Sequence, residues 1–344
     1  MLLRNVGYAL NPPWPDDPSG IASLPDGSRK AWIMGRHVVL GGSGTIGRAM
    51  VPHLAAAGHD VSIVQRRPVA VTGRETLVAA DALDLESVAR AAEGADVLYC
   101  VVGLPYDSRI WRRDFPRVVG NAIEAARRTG ARLVYFDNVY CYGPVDGWMT
   151  EDSPVRPTTE KGLARAECAW IVMEAVEREG LRACIARSAD FYGDYPQFDM
   201  IGDWGVQLKR GKPALVLYRD DRAHSLTYIP DNGRALAFLG QTPEADGDIW
   251  HMPTDPQPRT ARQTLQLVAE IVGARPRHIT LPKLAVQAIA LLNPLLREVD
   301  RMSYQLERNY RFSSEKITRR FGLTATPFAQ GIREHLAAKG LIET

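Results

Sequence analysis

The chain has 344 residues, 45% of them hydrophobic and 24% charged, with a formal net charge of +2. That length allows one large or two modest domains with a sizeable core, and the composition is that of an ordinary globular protein. A charge balance so near neutral, with no block of like charge, excludes nucleic acid or a membrane as the expected main partner.

Residues 1 to 33, which include "NPPWPDDPSGIASLPDGSR", are rich in Pro, Asp, Gly and Ser. They lack an apolar h-region, so they read as a disordered leader and not as a secretory signal, with Met34 an alternative start. From residue 37 short β-branched runs alternate with helical segments. "HVVLGG" is a strand, "IGRAMVPHLAAAG" a helix closed by Gly58, "DVSIVQR" a second strand and "LVAADALD" a short third. The helix "LESVARAAEGA" and the strand "DVLYCVVG" follow. After them come a helix through "FPRVVGNAIEAARRTG", the strand "ARLVYFDN", a helix through "KGLARAECAWIVMEAVEREG" and the strand "LRACIARS". Strands alternating with helices of this length require crossover connections, hence a parallel, doubly wound sheet of the Rossmann type. The reading is an α/β chain with a nucleotide-binding domain over 34–190 and a smaller, mainly substrate-binding α/β domain over 191–344. "SLTYIPDNGRALAFLG", at 225–240, is expected to return to the sheet as one more strand and helix. The apolar run "LAVQAIALLNPLL", at 284–296, is too short to span a bilayer and reads as a buried helix.

Cys100, Cys141, Cys168 and Cys184 are widely spaced and include no C-x-x-C pair, as in a reduced, cytoplasmic protein. The histidines form no metal-ligand spacing, so no metal site is expected.

In "LGGSGTIG" two spacings coexist: Gly42, Gly44 and Gly47 fit G-x-G-x-x-G, and Gly41, Gly44 and Gly47 fit G-x-x-G-x-x-G. Glycine permits the tight turn, admits a pyrophosphate close to the backbone and allows close helix–sheet packing. The following helix N-terminus offers open N–H groups to phosphate. The strand before it and the helix after it supply the required context, so Gly41, Gly42, Ser43, Gly44, Thr45, Ile46 and Gly47 are assigned to a dinucleotide. The second strand ends in Gln65, Arg66 and Arg67, where an NAD site usually has an acid for the ribose hydroxyls. Asp60 lies at the wrong end of that strand. Arg66 and Arg67 suit a 2′-phosphate, so NADP(H) is favoured, with NAD(H) possible.

Several ordered stretches resemble the extended short-chain dehydrogenase/reductase family, the NAD(P)-dependent epimerase/dehydratases. They are the glycine turn, "DALD" (Asp81 to Asp84), "DVLYCVVG", "LVYFDNVYCYG", "IARSADFYGD" and "YIPDNGRA" with Asp231, spanning about residues 37 to 240. The resemblance implies that Asp81 and Ala82 border the adenine, and that Val102 and Gly103 pass over the cofactor. It also implies a small-molecule substrate and a possible homodimer through the fourth and fifth helices.

The family's serine, tyrosine and lysine are all replaced. Aligned through "PTTEKGLARAE", the tyrosine position holds Lys161 and the lysine position Arg165; counting back from Gly143, the serine position holds Asn138. Asn138 hydrogen-bonds but does not titrate, Arg165 stays charged, and Lys161 becomes an acid–base group only if burial or nearby Arg165 lowers its pKa. Tyr140 sits where sugar dehydratases of the family carry an acidic group facing the substrate. Placed near Lys161, it would rebuild a phenol–ammonium pair from other positions. Asn138, Tyr140, Lys161 and Arg165 are therefore the catalytic candidates, and Lys161 also a cofactor contact. This loop and helix, with "LLREVDRMSYQ", resemble an atypical subgroup lacking the tyrosine–lysine pair. Asp190, Phe191 and Tyr192 follow the sixth strand and are expected to meet substrate, with Arg222 and His224. The expected function is an NADP(H)-dependent oxidoreductase, or an epimerase or dehydratase, acting on a small carbonyl or hydroxyl compound; the alternative is an NADP(H)-sensing regulator without catalysis.

Overall fold

The computed structural model describes residues 35–193 and 199–343. The expected leader and Met34 lie outside the described residues. Strands β1 (Arg36–Leu40), β2 (Asp60–Gln65) and β3 (Thr76–Ala79) alternate with helices α1 (Thr45–Ala56) and α2 (Leu85–Ala91), and β4 (Val97–Cys100) follows. Next come α3 (Ser108–Thr129), β5 (Arg132–Asn138), the short β6 (Trp148–Met149), α4 (Glu160–Glu179) and β7 (Ala183–Ser188). Local chemistry sets these boundaries. Asp84, Asp107 and Thr159 each cap a helix by accepting from its first backbone N–H groups. At the other ends Gly130 and Gly180 take the left-handed conformation that closes α3 and α4.

The main sheet has seven parallel strands in the order β12-β7-β5-β4-β1-β2-β3, in which β12 is Ile249–His251. The order of strand addition reverses between β1 and β4, and such a switch point opens a crevice at the strands' carboxyl ends. All four residues of β4 are buried, as expected of a parallel strand covered on both faces. On one face Val88, Phe115, Val119, Ala122, Ala164, Cys168 and Val172 from α2, α3 and α4 form the core. On the other, Met50 and Leu54 of α1 pack with Leu236 and Leu239 of α6 (Ile229–Gly240). Gly233 makes that contact possible, because a Cβ there would collide with the backbone of Ala49.

The rest of the chain adds β8 (Phe191–Tyr192), α5 (Met200–Lys209), β9 (Ala214–Leu217), β10 (Ala223–His224) and β11 (Thr227–Tyr228), all before α6. After β12 come β13 (Arg259–Thr260), α7 (Ala261–Ile271), β14 (His278–Leu281), α8 (Lys283–Ala290) and α9 (Pro294–Asp300). The chain finishes with α10 (Tyr304–Glu307), β15 (Arg311–Phe312), α11 (Glu315–Phe321) and α12 (Phe328–Ala338). Trp204, Leu208, Leu265, Val268, Ile332 and Leu336 make a further core there.

Two expectations change. The helix at 225–240 does return to the sheet as α6, but the strand before it does not. β11 pairs with β8 in a separate ribbon, and the strand that joins the main sheet is β12, beside β7. The run at 284–296 is not a buried helix either. Asn293 and Pro294 break it into α8 and α9, and only Val286 and Ala290 of α8 are buried, so its other apolar residues face outward. Among the described residues no helix is long and apolar enough to cross a membrane.

Candidate active site

A cleft of about 3360 Å³ runs from the carboxyl end of β1 into the segments that follow β7. Its floor is the glycine turn, whose glycines divide the work. Gly41, at φ +86°, faces the cleft, and a Cβ there would press on Val101. Gly44 precedes α1, which no side chain caps, so the first N–H groups at Thr45 and Ile46 point into open space. Gly42 and Gly47 serve packing: a Cβ on Gly47 would run into the backbone of Gly42, and one on Gly42 would crowd Ile63. Ser43 ties the turn to the loop after β2, accepting from the Val69 N–H at 2.8 Å and donating to its carbonyl at 3.1 Å.

That loop carries Arg66 and Arg67, both exposed and both on the cleft wall. Among the described residues neither pairs with a carboxylate. Asp81, Ala82, Val102 and Gly103 line the same end of the cleft. Asn121 of α3 holds that edge by donating to the Ala82 carbonyl at 2.9 Å.

At the other end the sequence-named residues separate into two groups. Tyr140 is buried, stacks on Trp111 at 5.9 Å and donates from its hydroxyl to Asp190 at 3.3 Å. The second oxygen of Asp190 lies 3.0 Å from His224 Nε2, while His224 Nδ1 is 3.2 Å from the Gln305 carbonyl. A carbonyl only accepts, so Nδ1 carries hydrogen. The Asp190 carboxylate thus sits between the Tyr140 hydroxyl and the His224 imidazole. Burial, and next the charge of Asp190, push the Tyr140 phenol well above its usual range, so it stays protonated. Tyr140, Asp190 and His224 all line the cleft. Asn138 lines it too, with its side-chain oxygen accepting from the Tyr140 N–H at 3.1 Å, which fixes the turn that presents the phenol.

Lys161 and Arg165 are committed elsewhere. The Lys161 ammonium is 1% exposed and pairs with the Glu298 carboxylate. It also meets Ser108 Oγ at 3.3 Å and the face of Tyr106 at 4.0 Å. Burial draws its pKa down while Glu298 opposes the shift. Lys161 is not on the cleft wall, and its charge goes to Glu298 and not to Tyr140. Arg165 reaches the wall, but its guanidinium lies over Phe115 at 3.7 Å and Trp111 at 4.7 Å. It donates to the Tyr135 hydroxyl at 3.0 Å, and Asp137 is 3.6 Å away. Asp137 pairs with the fully buried Arg187 at 3.1 Å as well.

Of the remaining candidates, Phe191 and Arg222 line the cleft, whereas Tyr192 is buried and stacks on Tyr228 at 5.0 Å. Sequence reading missed Trp111 and Glu298. Trp111 sits inside a helix whose period already explains an aromatic residue. Glu298 meets Lys161 across 137 residues, a pairing that no local pattern signals.

The model of a family described as "NAD dependent epimerase/dehydratase family" matches residues 37–252. A 3-diazoavenalumate denitrifying reductase of a Streptomyces species is 29% identical over 265 residues, covering 72% of this chain and 84% of that protein. Among solved structures, the dTDP-glucose 4,6-dehydratase DesIV of Streptomyces venezuelae, with NAD bound, superposes with a TM-score of 0.74 at 20% identity, covering 89% of this chain and 97% of that one. UDP-glucose 4-epimerase of Thermus thermophilus in complex with NAD gives 0.71 at 19%, covering 89% and 100%. At these identities the structures establish likeness of fold alone.

Proposed function

The chain belongs to the NAD dependent epimerase/dehydratase family of enzymes, and from that premise we propose that it is an NADP(H)-dependent oxidoreductase that reduces a small carbonyl substrate. The observation that carries the reading is the hydrogen-bonded series Tyr140–Asp190–His224, on the wall of the same cleft that the glycine turn floors.

The residues present fit a nicotinamide dinucleotide. Gly41 and Gly44 leave room where a side chain would intrude, and the start of α1 is uncapped. Gly41, Gly44, Thr45 and Ile46 would hold the pyrophosphate. Arg66 and Arg67, with no acid beside them at the end of β2, would take a 2′-phosphate. When bound, the cofactor supplies hydride chemistry. The chain's own part is proton management. Tyr140, held neutral by burial, hands its proton to the oxygen of a carbonyl being reduced. Asp190 accepts its hydrogen bond beforehand, and a proton taken up from solvent through His224 and Asp190 restores the phenol afterwards. Asn138 fixes the turn on which Tyr140 sits, and Arg165 supports the Trp111 ring against which the phenol stacks.

The cleft wall beside this series is largely apolar: Trp111, Phe136, Phe191, Leu217, Met302 and Leu306. That lining favours a substrate with an apolar or aromatic body. The test is NADPH-dependent turnover of a panel of aromatic, aliphatic and sugar-nucleotide carbonyl compounds, with NADPH and NADH titrations alongside. Turnover of apolar carbonyls with NADPH is expected. Tight NADPH binding without turnover of any member would favour the sensing role instead, and NADH binding tenfold tighter than NADPH would overturn the cofactor preference.

A further inference from the structure

The near-neutral charge of the whole chain hides a local imbalance. From 271 to 297 there is no acidic residue, yet the segment contains Arg275, Arg277, Lys283 and Arg297. Its helices α8 and α9 bury little of their apolar surface. Leu284, Leu291 and Leu292 are 81%, 74% and 92% exposed, and Ile289 and Leu295 stand nearly half in water. Leucines this exposed and this close together in sequence form a protruding apolar knuckle at the joint between the two helices. Arg275 and Arg277 are exposed in the loop before β14, earlier in the same acid-free segment. Arg297 folds back onto the carbonyl of Leu291 at 2.8 Å, placing its charge at the same joint. Lys283 is partly neutralised by Glu307 at 2.8 Å. Leu295 and Leu296 also belong to the wall of the cleft, so the knuckle is continuous with it.

We propose that the α8–α9 knuckle seats on an anionic lipid surface, with the leucines inserted shallowly and the arginines against the headgroups. The acids of α9, Glu298 and Asp300, are engaged by Lys161 and Tyr218, so exposed leucines in a segment whose other charges are cations fit the pattern of a monotopic surface contact. A second copy of the chain fits less well, because a two-fold contact through this face would set its cations against one another. Seated in this way, the cleft opens at the lipid surface, where an apolar carbonyl substrate would be concentrated. That last consequence rests on the function proposed above; the docking itself does not.

The test is co-sedimentation of the full chain with vesicles of phosphatidylcholine alone or mixed with phosphatidylserine, with NADPH titration and circular dichroism in parallel. The wild type is expected to pellet with the mixed vesicles and to be released as salt rises to about 0.5 M. Leu291→Glu with Leu292→Glu should abolish pelleting. Arg275→Glu with Arg277→Glu should weaken it about tenfold or more. Both variants should keep the wild-type NADPH affinity, which separates failure of the surface from failure of the cofactor site. The proposal is overturned if the wild type stays in the supernatant at low salt, if neutral vesicles bind it equally, or if both variants pellet like the wild type. It is also overturned if the wild type is a dimer that Leu292→Glu splits.

Discussion

Lys161→Met tests whether the residue at the family's tyrosine position has become a clamp. Its ammonium is buried on the Glu298 carboxylate and so joins α4 to α9. Removing one partner of a buried pair costs about 3–5 kcal/mol, since the other charge is left uncompensated. Glu298 would keep the Ser108 N–H at 3.0 Å and Arg301 at 2.5 Å, so the lower end, about 3 kcal/mol, applies. Glu298→Gln leaves an acceptor for Ser108 and strands the ammonium. Because burial already draws the lysine's pKa down, shedding its proton limits that loss to about 2 kcal/mol. The double variant buries no unpaired charge there and should also lose only about 2 kcal/mol, giving a coupling of about 3 kcal/mol. Urea unfolding measures all three as shifts in midpoint at unchanged slope. Two single losses below about 0.5 kcal/mol that simply add would refute the clamp. Turnover abolished in Lys161→Met at unchanged stability would make Lys161 catalytic instead.

Replacing Arg66 and Arg67 by Ser should weaken NADPH binding by about 2–3 kcal/mol and leave NADH nearly unaffected, as read by fluorescence titration; equal losses for both cofactors would remove the 2′-phosphate assignment. Gly47→Ala should lose NADPH binding and about 1–3 kcal/mol of stability, because its methyl group meets the backbone of Gly42. The clamp should also carry a pH signature. Burial raises the Glu298 pKa, but the hydrogen bonds from Lys161 and Ser108 outweigh it and leave the group below 4.5. A depressed carboxylate stabilises the fold fully above its unfolded pKa and loses that contribution as pH falls through the folded value. The stability gap between wild type and Glu298→Gln should therefore narrow as pH falls below 4.5; a gap that widens below that pH would contradict the pairing.

The βα rhythm made the sheet legible in the sequence because parallel strands are buried on both faces and separated by capped helices, and each of those features is local. The glycine turn was legible for the same reason. What escaped were pairings over long separations. Lys161 is an acid–base candidate from the sequence only on condition that burial or Arg165 lowers its pKa, and nothing local signals its pairing with Glu298. Asp190 and His224 were named separately, but only the return of the chain through β10 brings the imidazole to the carboxylate and the carboxylate to Tyr140. The strand expected at 225–240 is not in the main sheet because β11 pairs with β8, and β12, later in the chain, takes the place beside β7. The run at 284–296 misled in the opposite way. Its apolar content suggested burial, yet Asn293 caps a new helix there and the outer leucines are left facing water.

The central claim is that the phenol of Tyr140 supplies the proton for reduction. It is tested most directly by measuring kcat and NADPH affinity for Tyr140→Phe on a carbonyl that the wild type reduces. The ring still stacks on Trp111 in that variant, so the expected result is a kcat about 100-fold lower or less, with NADPH affinity unchanged. Turnover equal to that of the wild type would contradict the claim.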